Sequence, residues 1–151
     1  MTDLKKVHLA LNVGDVKRSV EFYRHMFGVE PVKWKPGYAK FEIHEPALNL
    51  TLNQEGEIKS RGALNHLGIE VGTTAEVVAA KERLQNAGLV TLDEMNVDCC
   101  YALQDKVWIA DPDGYRWEIF VVRVPDTRPD LHVPAQSTND RSKDGSGCCS
   151  Q

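Results

Sequence analysis

The chain has no apolar run approaching the ~20 residues that a membrane-spanning helix needs. Its start, Met1-Thr2-Asp3-Leu4-Lys5-Lys6, has no apolar stretch of the signal-peptide type. It also lacks a basic excess: 18 Lys and Arg stand against 22 Asp and Glu, a net charge of -4. That balance gives no reason to expect nucleic acid or an anionic membrane as partner. Cysteine is sparse, and its four copies form two adjacent pairs, Cys99-Cys100 and Cys148-Cys149, where a disulfide framework would space them out. Neighbouring cysteines close only a cramped ring, far from relaxed disulfide geometry. These absences predict a soluble, cytoplasmic protein whose cysteines are mostly free thiols.

What is present is one domain's worth of apolar residues, 42% of 151. The string His8-Leu9-Ala10-Leu11-Asn12-Val13-Gly14 returns as His66-Leu67-Gly68-Ile69-Glu70-Val71-Gly72. In each copy apolar residues alternate as on a half-buried strand. Asp15 can cap a helix carrying Val16, Val20, Tyr23 and Phe27 on one stripe, with Gly28 as its stop. Thr73 and Glu76 form a capping box before the stripe Val77, Ala80, Leu84 and Ala87, and Gly88 ends that helix. His8 and Gly28 lie 20 residues apart, His66 and Gly88 lie 22 apart. The match supports duplication.

Strand-like runs follow each helix, near 30–35, 38–43 and 47–53, then near 90–96, 101–109 and 115–123. Pro36-Gly37 and Asp111-Pro112-Asp113-Gly114 mark turns. Each half therefore reads βαβββ. The fold class is α+β: two βαβββ modules, 4–54 and 62–123, forming a curved mixed sheet around a metal site. The domain spans 4–123. From 125 to 151 the apolar pattern stops and a disordered tail is expected.

On a strand, residues two apart share a face. His8 thus has Ala10 beside it, and His66 has Gly68. Small neighbours leave room above each ring. In the last strand Tyr115, Trp117, Ile119 and Val121 share one face, and Arg116, Glu118, Phe120 and Val122 the other. Glu118 is an acid inside an apolar run, where burial is costly unless it is paired or metal-bound. Two histidines and one carboxylate form a facial triad that favours non-haem Fe(II), with Mn(II) or Zn(II) as lesser options. Glu70 is either a fourth ligand or a residue of the sheet rim. His25, on the helix, and His44, beside a proline turn, read as surface residues, and His132 belongs to the tail.

Two such modules, with a His on the first strand of each and a Glu on the last, resemble the vicinal oxygen chelate superfamily. That group includes glyoxalase I, extradiol dioxygenases, and bleomycin and fosfomycin resistance proteins. The resemblance covers 4–123. The run from Trp108 to Glu118, with Asp111-Pro112-Asp113-Gly114, looks like the family's closing hairpin. A narrower match joins Cys99-Cys100-Tyr101-Ala102-Leu103-Gln104-Asp105-Lys106-Val107-Trp108 with 36–41 and 64–68. These segments look like the carbon–arsenic lyases and the related cadmium-induced proteins. The resemblance implies His8, His66 and Glu118 as Fe(II) ligands and Cys99 and Cys100 as holders of arsenic. The implied activity is Fe(II)- and O2-dependent cleavage of trivalent organoarsenicals, such as methylarsenite or aromatic arsenicals, to arsenite. Superfamily members often dimerise, so a homodimer is allowed, though the sequence carries no decisive interface signal.

As(III) is thiophilic, and thiolates are the soft ligands a protein has. Two thiols fill the two exchangeable positions of a monosubstituted arsenical. Consecutive side chains on a regular strand point to opposite faces. Both sulfurs reach one arsenic only if 98–101 leave strand geometry, so Asn96-Val97-Asp98 is expected to form a mobile substrate-binding loop. Tyr101 is a substrate-pocket candidate, with plain packing as the alternative. Lys106 is expected at the surface, with thiol activation or anion binding as the other reading. Cys148-Cys149 either pre-captures arsenical or is incidental. Two other functions stay open: a thiol-based cadmium or arsenite binding protein, and another extradiol-dioxygenase-like enzyme.

Overall fold

The computed structural model describes residues 5–131. The first module is β1 (Val7–Val13), α1 (Val16–Phe27), β2 (Lys33–Lys35), β3 (Tyr38–Ile43) and β4 (Leu48–Gln54). The second is β5 (Leu67–Glu70), α2 (Thr74–Asn86), β6 (Thr91–Cys99), β7 (Ala102–Ala110) and β8 (Arg116–Val124). Each module builds its own four-stranded mixed sheet, in the orders β1-β4-β3-β2 and β5-β8-β7-β6. The duplicated strand pairs in parallel with the last strand of its module, and the other pairings are antiparallel. The α+β class and the two βαβββ modules are as expected, with the strands in two sheets.

Local chemistry sets the helix ends. The Asp15 side chain accepts from the backbone N–H of Lys17 and Arg18, satisfying donors that a helix start leaves open. Gly28 ends α1 at φ 67, a left-handed conformation that glycine adopts without a Cβ penalty. Thr73 caps α2 by accepting from Glu76 N at 3.2 Å, while its hydroxyl donates to Glu76 Oε2 at 2.9 Å.

The alternation places Leu11, Val13, Phe41, Leu50 and Leu52 against Val16, Val20, Tyr23 and Met26 of α1. Ile109, Trp117 and Ile119 of the second sheet join the same core. The turn at 111–114 ties the modules together. Asp113 Oδ1 accepts from Gly14 N at 3.0 Å, and Tyr115 donates its hydroxyl to the Asn12 carbonyl at 3.1 Å. The Tyr23 hydroxyl donates to Asp111 Oδ2 at 2.8 Å and accepts from the Trp117 indole at 3.2 Å. Burial holds the Asp111 carboxyl above the usual carboxylate range, against the opposing pull of the Tyr23, Tyr115 and Asp113 hydrogen bonds. Burial, and then the neighbouring Asp111, push the Tyr23 phenol well up.

Two local expectations are corrected. β2 is only three residues long, with every side chain exposed, so half of the expected 30–35 run is outside the sheet. Asn96-Val97-Asp98 does not form a loop but lies within β6, where the pairing with β7 shifts register between Glu94 and Val97. The reason is Asp105. Its Oδ1 accepts from Asn96 N at 2.7 Å and its Oδ2 accepts from the Thr74 hydroxyl at 2.6 Å, holding Asn96 at φ 55 inside a bulge. After β8 the chain turns back over the β6–β7 hairpin: Thr127 N donates to the Tyr101 carbonyl at 2.8 Å, and a 3-10 turn spans Pro129–Leu131. The rest of the expected tail, with His132 and Cys148-Cys149, lies outside the described residues. No described helix is long and apolar enough to cross a membrane.

Candidate metal and sulfur sites

Parallel pairing of β5 with β8 puts Gly68 opposite Glu118, and antiparallel pairing of β7 with β8 puts Trp108 on the other side of Glu118. The carboxylate is buried and its two oxygens have different neighbours. Oε1 lies 3.5 Å from His66 Nε2, and Oε2 accepts from Lys106 Nζ at 2.9 Å. His66 sits just before β5, with its Nδ1 donating to Asn65 Oδ1 at 2.5 Å. Nε2 is the ring nitrogen on the side of Glu118, and an outer partner on the other nitrogen is how a ligating histidine is commonly oriented. The Trp108 ring meets the His66 ring edge-on, with centroids 5.0 Å apart, and its indole N–H donates to Glu94 Oε2 at 2.9 Å.

The small residue beside His66 has a structural reason. A Cβ at Gly68 would stand 3.0 Å from Glu118 Cγ, 3.2 Å from Glu118 Oε1 and 3.2 Å from the Phe120 ring. Glycine therefore makes the cradle in which Glu118 lies. His66 Nε2 and Glu118 Oε1, 3.5 Å apart, are near enough to share one ion at ordinary ligand distances of about 2.1 Å. The nitrogen and oxygen donors and the cradle fit a divalent metal.

His8 is elsewhere. It is exposed in β1, on the first sheet, opposite Asn49. Among the described residues no group of three His, Cys, Asp or Glu side chains is close enough to hold an ion. The register also shows why this half lacks an acid. Ala10 pairs with Thr51 as Gly68 pairs with Glu118, so Thr51 stands at the counterpart of Glu118. Asn49 Oδ1, beside His8, is buried and has no hydrogen-bond partner among the described residues.

Lys106 is the clearest correction. Expected at the surface, it is only 2% exposed. It lies on β7, an inner strand, and the Glu118 carboxylate supplies the counter-charge that makes its burial tolerable. A signal existed in the sequence: Lys106 alternates with Val107 and Ile109, the core face, and so shares the face of Trp108. Glu70 is exposed, as a rim residue would be. His25 is exposed and bonded to Glu21 at 3.0 Å, and His44 is exposed.

Cys99 closes β6 opposite Ala102, leaving Cys100 and Tyr101 as a two-residue hairpin turn. Their φ angles, 54 and 63, are both left-handed, the pattern usually filled by Asn-Gly. The turn keeps consecutive side chains from diverging, and the two sulfurs stand 3.5 Å apart. That separation is well beyond a disulfide bond of about 2.05 Å, so the neighbours are not joined to each other. Cys99 is buried, whereas Tyr101 is 50% exposed. Cys100 is in the disulfide-bonded state, which corrects the expectation of free thiols at that position. From Ala102 to Trp108, which faces Glu118, the strand runs about 20 Å at 3.3 Å per residue.

Residues 5–119 match the family described as the Glyoxalase/Bleomycin resistance protein/Dioxygenase superfamily. The chain belongs to that superfamily. This glyoxalase-superfamily chain is 45% identical to the trivalent organoarsenical cleaving enzyme of Bacillus sp. (strain MD1), over 97% of its own length and 91% of the relative's. It is 48% identical to the cadmium-induced protein CadI of Mycobacterium bovis, over 79% of this chain and 77% of that one. A solved glyoxalase/bleomycin resistance protein/dioxygenase from Alicyclobacillus acidocaldarius shares the fold. Its TM-score is 0.64 at 13% identity, covering 78% of this chain and 91% of that one.

Proposed function

We propose that this chain is an Fe(II)- and O2-dependent carbon–arsenic lyase that converts trivalent organoarsenicals, methylarsenite or aromatic arsenicals, to arsenite. The observation that carries the reading is the pair of sulfurs 3.5 Å apart on the sheet that holds His66 and Glu118. The 45% identity to an organoarsenical cleaving enzyme supports it. His66 and Glu118 hold the iron, with His8 as third ligand. His8 is exposed on the other sheet, so a homodimer supplies it from a second copy. When bound, Fe(II) supplies one-electron chemistry with O2.

The chain's own residues do the rest. Cys99 and Cys100, in reduced form, take the two exchangeable positions on arsenic and leave the As–C bond free. Tyr101, at the exposed tip, flanks the organic group. The ladder between β6 and β7 shifts register between Glu94 and Val97, and in this proposal the hairpin tip bends there to carry arsenic toward Glu118. Trp108 and Phe120 give that face an aromatic lining which limits water around the reacting bond.

The test is to reduce the protein, load it with Fe(II) without air, add methylarsenite, admit O2 and assay arsenite. Arsenite from wild type, and none from Cys99→Ser or Glu118→Gln, is expected. Absence of arsenite together with tight Cd(II) binding at Cys99 and Cys100 would overturn the lyase reading in favour of a cadmium-sequestering protein.

A further inference from the structure

Lys106 is a buried cation with no task in the scheme above. Its ammonium donates to Glu118 Oε2 at 2.9 Å, while Oε1 is the oxygen turned toward His66 at 3.5 Å. Trp108 lies against the ammonium, 5.4 Å from ring centroid to Nζ, and the Glu94 hydrogen bond pins the ring. A buried charge of this kind is retained only with its partner in place. The two carboxylate oxygens are thus divided between a fixed lysine and the His66 imidazole.

We propose that Lys106 is a positioning residue for the metal. It neutralises Glu118 in the metal-free protein and keeps Oε2 when Oε1 takes the ion, so that Glu118 binds through one oxygen. This rests on the reading of His66 and Glu118 as metal ligands. One-oxygen binding leaves one more position on the ion open than two-oxygen binding does. The fixed ammonium also opposes an arriving dication, so the site trades affinity for an open coordination sphere.

Hydrogen bond and charge are separable. Lys106→Gln keeps a donor toward Oε2 without charge, and Lys106→Met removes both. Co(II) is the probe, titrated without air into the full chain and followed by visible absorption and by the metal-induced shift in Tm. Lys106→Gln is expected to keep the wild-type spectrum and bind Co(II) roughly tenfold more tightly. Lys106→Met is expected to bind at least as tightly, with a weaker spectrum typical of higher coordination number. In both variants Co(II) raises Tm by more than in wild type, because Glu118 lacks its counter-charge until the metal arrives.

A wild-type spectrum and affinity in Lys106→Met would overturn the proposal, as would weaker binding in both variants. Either result leaves the lyase reading standing. If Lys106→Met does not fold, the affinity and Tm shift of Lys106→Gln decide. If Co(II) binding is unchanged in Glu118→Gln, or absent from wild type, the ligand reading fails and the role of Lys106 fails with it.

Discussion

Gly68 shows how narrow the tolerance of this site is at the scale of one residue. The contacts a Cβ would make are with Glu118 and Phe120, two side chains already fixed by their strand and by Lys106. Gly68→Ala is expected to push the carboxylate off its place and weaken Co(II) binding roughly 10- to 100-fold, the cost typical of disturbing a ligand's support. An isothermal titration showing unchanged affinity would mean that Glu118 has room to give. The same residue illustrates what a sequence reveals. A small residue beside a strand histidine signals space, but the partner that fills the space is set by register with β8, more than 45 residues downstream. Lys106 was legible only in part: the face it shares with Trp108 can be read from the sequence, but the carboxylate across the sheet that allows its burial cannot.

The β6–β7 hairpin is the element on which the proposed sulfur chemistry depends. Two consecutive non-glycine residues in left-handed conformation at its tip, Cys100 and Tyr101, cost about 1 kcal/mol each. In the turn they form, the sulfurs of Cys99 and Cys100 stand 3.5 Å apart. Tyr101→Gly is expected to relieve its share of the backbone strain and raise stability by up to about 1 kcal/mol, less what glycine's added freedom in the unfolded chain takes back. The reading is a higher urea midpoint at unchanged m-value; a lower midpoint would show that Tyr101 contributes packing that outweighs the strain. The sequence predicted that 98–101 leave strand geometry; Cys100 and Tyr101 do, whereas Asp98 and Cys99 stay in β6. It placed the departure in a loop at 96–98, whereas β6 continues to Cys99. The difference comes from Asp105, whose hydrogen bonds to Asn96 and Thr74 allow an extra residue inside the ladder.

Across the whole molecule, two buried aspartates give stability opposite pH dependences. The hydrogen bond from Thr74, aided by Asn96 N–H and Arg123, holds the Asp105 carboxyl below the usual carboxylate range, against the cost of burial. A depressed native value means its contribution is present above the unfolded value of about 3.9 and is lost as pH falls through the native one. Asp111 runs the other way: burial raises its carboxyl, so its protonation on acidification favours the fold. Asp105→Asn should therefore be most destabilising near neutrality, with the gap to wild type shrinking as pH drops below about 4. Urea unfolding of both proteins across that range checks it, and a gap that stays constant would show that Asp105 acts through shape alone.

The sequence by itself determined the duplicated modules, the helix caps, the core faces of the strands, the buried Glu118 and the turn at 111–114. These rest on short-range periodicity and capping chemistry, which neighbouring residues carry among themselves. Only the tertiary structure decided which of the repeated histidines meets Glu118, because that depends on β5 pairing with β8 while β1 pairs with β4 in a separate sheet. It also decided that Lys106 is buried against that carboxylate and that Thr51 fills the matching place in the first module. The opening repeat announces two equivalent histidines; strand pairing, a contact between distant residues, makes them inequivalent.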